Sequence, residues 1–272
     1  MAIDVLAEVV QNHALSADYN VVVFAAPELA RLAAPGQFVM LKPSTGDDPL
    51  LRRPFSIFEV IRGPHGEPTG ISILNKRVGK GTSLLYAARP GDALSIVGPL
   101  GQPWPDVTDT DAHWMVAGGV GLAPFITLAE RLAARRAPMT LYYGGRSASD
   151  LYYASLFSDL GAELVLTTED GTRGEHGRVT APLARALESR GSTRVTLYSC
   201  GPTPMMRAVA TLGATHGCQT FVSLEQVMGC GMGGCYSCVV PVLEHGQPHF
   251  VRSCLDGPVF DAARLVWEGL VH

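Results

Sequence analysis

The sequence predicts an N-terminal six-stranded antiparallel β-barrel, a doubly wound parallel-sheet α/β domain, and a small C-terminal module built on cysteines. Three observations carry this. Residues 1–104 hold short apolar runs punctuated by glycine and proline, residues 105–222 alternate strand-like and helix-like stretches, and residues 223–272 hold four of the six cysteines. A chain of 272 residues has room for two domains and an appendage. The net charge of -4 gives it no electrostatic reason to seek nucleic acid. No apolar run approaches the roughly 18 residues of a membrane span, and the start MAIDVLAEVV lacks a basic leader, so a cytoplasmic location is expected.

The barrel is expected from strands at 5–11, 19–24, 38–42, 56–61, 71–75 and 93–97, with turn signals at Pro35-Gly36, Gly63-Pro64 and Pro90-Gly91. One helix is expected to interrupt them, from near Thr82 to Ala88. Two stretches carry chemistry. Arg52-Arg53-Pro54-Phe55-Ser56-Ile57 sets a cation and a hydroxyl at a strand entry, where proline fixes the backbone. Lys76-Arg77-Val78-Gly79-Lys80-Gly81-Thr82 gathers basic residues and glycines before a helix, an arrangement that suits a pyrophosphate. Taken singly, each also reads as a solvated basic turn.

After the linker Gly98–Pro105, strands are expected at 113–117, 139–143, 163–168, 195–199 and 220–223, with helices near 124–136, 149–158, 181–189 and 204–216. Such alternation predicts a parallel sheet covered on both faces, which binds ligands at the carboxyl ends of its strands. The loops there are Gly118-Gly119-Val120-Gly121-Leu122-Ala123-Pro124, Gly144-Gly145-Arg146, and Cys200-Gly201-Pro202-Thr203-Pro204-Met205. Glycines let the backbone approach a phosphate. Glu169 and Asp170 follow the third strand, where carboxylates accept hydrogen bonds from an adenosine ribose and repel a 2′-phosphate, favouring NAD; a solvated turn is the alternative.

The last stretch spaces its cysteines as Cys230-x4-Cys235-x2-Cys238-x15-Cys254. That is the plant-type pattern for a [2Fe–2S] cluster, with three thiolates in one loop and a distant fourth. A four-cysteine zinc site is the alternative, although zinc sites generally pair their cysteines at both ends of a loop. Met228, Met232 and Tyr236 beside these cysteines are expected to form an apolar rim facing a partner, or else to pack inward onto the barrel.

The order Arg-Pro-x-Ser, Gly-Lys-Gly-Thr, Gly-Gly-x-Gly-x-x-Pro and Cys-Gly-Pro-x-Pro-Met resembles the ferredoxin-reductase type of flavoprotein. The resemblance implies FAD held by Arg53, Pro54, Phe55 and Ser56, by Gly81 and Thr82, and by Leu74-Asn75-Lys76, where Lys76 supplies positive charge. It implies NAD at Gly118, Gly119, Gly121 and Pro124, with Gly201 and Pro202 beside the nicotinamide. Cys200 is the candidate catalytic residue, as a wall of the hydride-transfer pocket; a buried small side chain is its other reading.

With the cysteine module, and with the segments SLEQVMGCGMGGC and CLDGPVF, nearly the whole chain resembles the electron-transfer subunit of the heteromeric dihydroorotate dehydrogenase. The resemblance implies a partner subunit that oxidises dihydroorotate to orotate on FMN, in a heterotetramer of two of each chain. Electrons would run through [2Fe–2S] and FAD to NAD, as a step of pyrimidine biosynthesis. A diaphorase subunit of a hydrogenase or another oxidoreductase needs the same three sites and stays open. An iron–sulfur redox sensor would need a recognition surface such as a basic helix, which the sequence does not contain.

Overall fold

The computed structural model describes residues 2–270; Met1, Val271 and His272, at the outer ends of the first and third expected units, lie outside the described residues. The chain begins with β1 (Ile3–Ala14), β2 (Tyr19–Ala25), α1 (Pro27–Leu32), β3 (Phe38–Leu41), β4 (Arg53–Ser56), β5 (Glu59–Arg62), β6 (Pro68–Lys76), α2 (Lys80–Tyr86) and β7 (Ala93–Leu100). The strands form one antiparallel sheet in the order β4-β3-β7-β1-β2-β6-β5. Inward residues such as Val9, Val22, Phe24, Val39, Ile71 and Ile96 are buried together with Leu29 of α1 and Leu85 of α2.

Seven strands stand where six are expected, because the run 56–61 breaks at Ile57-Phe58. The backbone N–H of Ile57 donates to Gln37 O at 3.0 Å and that of Phe58 to Ser72 O at 2.9 Å. This two-residue step carries the chain from the β4 edge of the sheet to the β5 edge, and so curls the sheet into a barrel. Both side chains are buried, so their apolar pattern reads like one strand interior. The short helix α1, begun by Pro27, also escapes the sequence pattern.

The second sheet follows as β8 (Ala112–Gly118), α3 (Ile126–Ala134), β9 (Met139–Gly145), α4 (Ala154–Asp159), β10 (Glu163–Thr168), β11 (Glu175–His176), α5 (Thr180–Ser189), β12 (Val195–Cys200), α6 (Thr203–Thr215) and β13 (Gln219–Ser223). The helix expected from 124 starts at Ile126, because Gly119–Phe125 winds more tightly as a 3₁₀ segment. Leu128, Leu132 and Phe157 of α3 and α4 share one core, whereas Leu183, Leu187 and Val209 of α5 and α6 share another. The sheet is therefore covered on both faces. Its order reverses between β8 and β12, which places their carboxyl-end loops side by side.

The chain then passes through the cysteine loop into the hairpin β14 (Val239–Glu244) and β15 (Gln247–Arg252), the short helix α7 (Ser253–Asp256) and β16 (Val259–Asp261). β16 returns as an antiparallel edge strand beside β13. Met228, Cys238 and Cys254 pack against Phe38 and Met40 of β3 and Val97 and Leu100 of β7. The cysteine loop thus sits directly on the barrel. Among the described residues no helix is long and apolar enough to cross a membrane.

Candidate functional site

One cleft of about 860 Å³ opens where the barrel, the parallel sheet and the cysteine module meet. Pro54, Phe55 and Ser56 of β4, Leu74 and Lys76 of β6, Tyr19 of β2 and Thr82 of α2 form its barrel side. Strand alternation decides which residues of β6 take part. Leu74 and Lys76 line the cleft but Asn75 does not; it is fully buried, donating to Asn20 Oδ1 at 2.7 Å and to Thr82 O at 3.0 Å. Asn75 therefore ties α2 to the barrel, and does not contact the cleft as the sequence reading expects.

Arg53 and Gly81 also stand behind the lining, against each other. A Cβ at Gly81 would lie 3.2 Å from Arg53 Cγ, and the Arg53 guanidinium donates to Leu51 O at 2.8 Å. Thr82 reaches the cleft, but its hydroxyl accepts the N–H groups of Val78 at 2.9 Å and Gly79 at 3.0 Å, fixing the first turn of α2.

Across the cleft stand Gly118, Gly119, Gly144, Gly145, Gly201 and Pro202, and Glu169, Arg146 and Arg178 also line it. Gly121 and Pro124 do not line it. A Cβ at Gly121 would meet Cys200 O at 2.4 Å, and Pro124 O accepts the indole N–H of Trp104 at 2.8 Å. The β8 and β12 loops are thus packed backbone on backbone, and Gly121 serves that packing. Asp170 is likewise spent locally. Its carboxylate accepts the Thr172 N–H at 3.0 Å and hydroxyl at 2.6 Å, which hold it below the usual carboxylate range.

Cys200 is buried and lies outside the cleft lining, with its thiol pushed far up by burial and then by the nearby Glu225 carboxylate. It is a poor candidate for chemistry in this position.

Glu225 is a lining residue that the sequence reading passes over. It remains open to the cleft while protein surrounds it, so desolvation raises its carboxyl and Lys76 opposes the shift. Tyr19 is another. Its buried hydroxyl makes no hydrogen bond of good geometry but stands near the Asp150 carboxylate, and the Lys76 ammonium lies 5.0 Å from its ring centroid. A buried hydroxyl beside a cation, in a cleft lined by glycines, suits a polar, anionic ligand such as a dinucleotide. Tyr19 belongs to no motif, and Glu225, although it stands in the segment SLEQVMGCGMGGC, is read there only as a flank of the cysteines.

The cysteines lie behind Phe38 and Met228 of the lining, with which Cys238 and Cys254 pack. Cys230 Sγ accepts the N–H groups of Met232 at 3.4 Å and Gly234 at 3.3 Å, while Cys235 Sγ lies 3.1 Å from Ser237 Oγ. Gly231 holds φ +73, and a Cβ there would meet Met40 Cγ at 2.3 Å, so glycine lets the loop turn and seat on the barrel. The thiols act on one another. Ser237 and then Cys230 push Cys235 down to about 6, while burial and then Cys238 push Cys254 up to about 12.

Thiols this close resist ionising together unless a cationic core lies among them. Three cysteines in one loop and a distant fourth, with N–H groups aimed at Cys230 Sγ, fit a two-iron cluster better than a lone zinc. Of the expected rim, Met228 is buried against the barrel, whereas Met232 and Tyr236 are exposed.

Comparison with known proteins agrees with this arrangement. Residues 225–266 match the iron-sulfur cluster binding domain of dihydroorotate dehydrogenase B, and residues 115–211 match the oxidoreductase NAD-binding domain. A chain from the solved structure of an NADH-dependent reduced ferredoxin-NADP oxidoreductase superposes with a TM-score of 0.83 at 28% identity, covering 97% of this chain and 91% of that one. The dihydroorotate dehydrogenase B (NAD(+)) electron transfer subunit of Geobacillus thermodenitrificans is 36% identical over 88% of this chain and 89% of its own. The subunit of the same name from Desulforamulus reducens is 40% identical over 90% of this chain and 91% of its own. Likeness of that degree over almost the full length of both chains means that this chain belongs to the family of dihydroorotate dehydrogenase B electron transfer subunits.

Proposed function

We propose that Cys230, Cys235, Cys238 and Cys254 ligate a [2Fe–2S] cluster, and that the cleft holds FAD on its barrel side and the nicotinamide of NAD between Gly118-Gly119 and Gly201-Pro202. The division into a flavin barrel (1–104), a nucleotide domain (105–222) and a cluster module (223–272) belongs to the same reading. The observation that carries it is a shared wall: Phe38 and Met228 line the cleft and also pack against Cys238 and Cys254. A single layer of side chains separates the two sites, which suits electron transfer between them.

The cofactors supply the redox chemistry, the cluster exchanging single electrons and the flavin joining them to the two-electron hydride of NAD. The chain's residues bind, orient and exclude water. Pro54, Phe55, Ser56, Leu74 and Lys76 shape the flavin side, Tyr19 offers a hydroxyl, and Glu169, in a lining that also holds Arg146 and Arg178, accepts hydrogen bonds from the adenosine ribose. The partner is a catalytic subunit that oxidises dihydroorotate to orotate on FMN, assembled with this chain as a heterotetramer of two and two in the cytoplasm. Exposed Met232 and Tyr236 beside the cluster loop support a contact there.

Anaerobically prepared protein should contain two iron, two sulfide and one non-covalent FAD per chain. Stoichiometric zinc without sulfide, or FMN as the sole flavin, would refute the assignment.

A further inference from the structure

Between Glu225 and Leu270 the only lysine or arginine residues are Arg252 and Arg264. Arg252 ends β15 two residues before Cys254, and its guanidinium reaches back over the loop that carries the other three cysteines. Nη1 donates to Gly233 O at 2.9 Å, between Cys230 and Cys235 in sequence. The guanidinium carbon lies 4.9 Å from the ring centroid of Tyr236, between Cys235 and Cys238. Tyr236 is held at φ +58, a region that costs an aromatic residue energy unless its surroundings fix it. Among the described residues no carboxylate pairs with the Arg252 side chain; Asp256 accepts only its backbone N–H, at 3.2 Å.

We propose that Arg252 is a positioning and tuning residue of the cluster: it clamps the cysteine loop through Gly233 and Tyr236, and its uncompensated charge raises the cluster's reduction potential. The proposal rests on the four cysteines holding a [2Fe–2S] cluster. Reduction adds one electron to the cluster, and a nearby cation stabilises the more negative state. Arg252 is only partly exposed, so solvent and salt screen its charge less than they would a surface arginine's. An ion pair would cancel most of that effect, and none is present among the described residues. The ring of Tyr236 keeps the guanidinium over the loop through a cation–π contact.

Redox titration of the anaerobically prepared holoprotein, followed by electron paramagnetic resonance of the reduced cluster, tests this. R252Q should shift the oxidised-to-reduced equilibrium at least tenfold toward the oxidised form, a fall of 59 mV for one electron. R252K keeps the charge and should hold a midpoint nearer the wild type. Y236L removes an exposed ring, leaves the arginine in place, and should lower the midpoint by less than R252Q. A midpoint unchanged in R252Q, or one that falls as far in R252K, overturns the proposal. Should R252Q fail to retain iron and sulfide, Y236L decides: an unmoved midpoint there overturns it. Absence of the cluster signal in the wild-type protein would instead refute the cluster assignment itself, so the two failures are distinguishable.

Discussion

The space left by a missing Cβ decides several residues of this site. At Gly121 a methyl group would press on the carbonyl oxygen of Cys200 at 2.4 Å, a backbone atom that cannot swing away. G121A should therefore cost about 1–3 kcal/mol through overpacking, and force apart the two loops that line the cleft. Thermal denaturation of the cofactor-loaded protein measures the first effect, and the affinity for NADH the second. A variant with wild-type melting temperature and NADH affinity would show that the loops are not locked by this contact. The glycine loop was legible in the sequence as a motif, but its reason was not. Sequence suggests that all its glycines face a phosphate, whereas Gly118 and Gly119 line the cleft and Gly121 packs against the neighbouring strand's end. Asn75 misleads in the same way: it stands between two lining residues of β6, and the pleat turns it away from them.

At the scale of the element, α2 stays on the barrel through a relay of asparagines. Asn12 of β1 donates to Tyr86 O at 2.9 Å and Ala88 O at 2.7 Å, Asn20 of β2 donates to Asn12 Oδ1 at 2.7 Å, and Asn75 of β6 donates to Asn20 Oδ1 and Thr82 O. Removing the middle member leaves one N–H of the buried Asn75 amide and the half-buried Asn12 Oδ1 without their partner. N20A should cost about 1–3 kcal/mol and speed release of FAD, by loosening α2 near the flavin side of the cleft. Chemical denaturation and the rate of flavin loss check this; unchanged values for both would mean that α2 is held by its apolar face alone. No single-element pattern reveals such a relay, because its members lie on three different strands and Asn75 is far from the other two in sequence. Most strands and helices themselves were legible, since apolar periodicity and turn residues report local structure. The exception at Ile57-Phe58 has a physical cause: the step between the barrel's edges is as buried as a strand.

For the whole molecule, the order of its parts along the chain was legible, and their convergence on one cleft was not. Trp104 shows how that convergence is held. It lies in the linker, stacks on Phe125 at 5.3 Å, meets Tyr198 edge-on at 5.5 Å, and belongs to a core that also takes Val21 and Phe58 from the barrel. The sequence marks 98–105 as a linker from its prolines and glycines, yet the structure uses it as a packed joint. Gln102 adds to the joint, its backbone N–H donating to Gly257 O at 2.6 Å beyond the last cysteine. On the proposed assignment, a cluster and a nucleotide cleft share one wall in this joined chain, which suits conversion between single electrons and hydride. The most direct test co-expresses it with a dihydroorotate dehydrogenase catalytic subunit from the same organism and measures dihydroorotate-dependent reduction of NAD+ by the purified pair. The complex should form and reduce NAD+, and C238S should abolish that reduction while leaving the partner's oxidation of dihydroorotate with artificial acceptors intact. A pair that fails to associate, or a C238S complex that reduces NAD+ as fast as the wild type, would contradict the account.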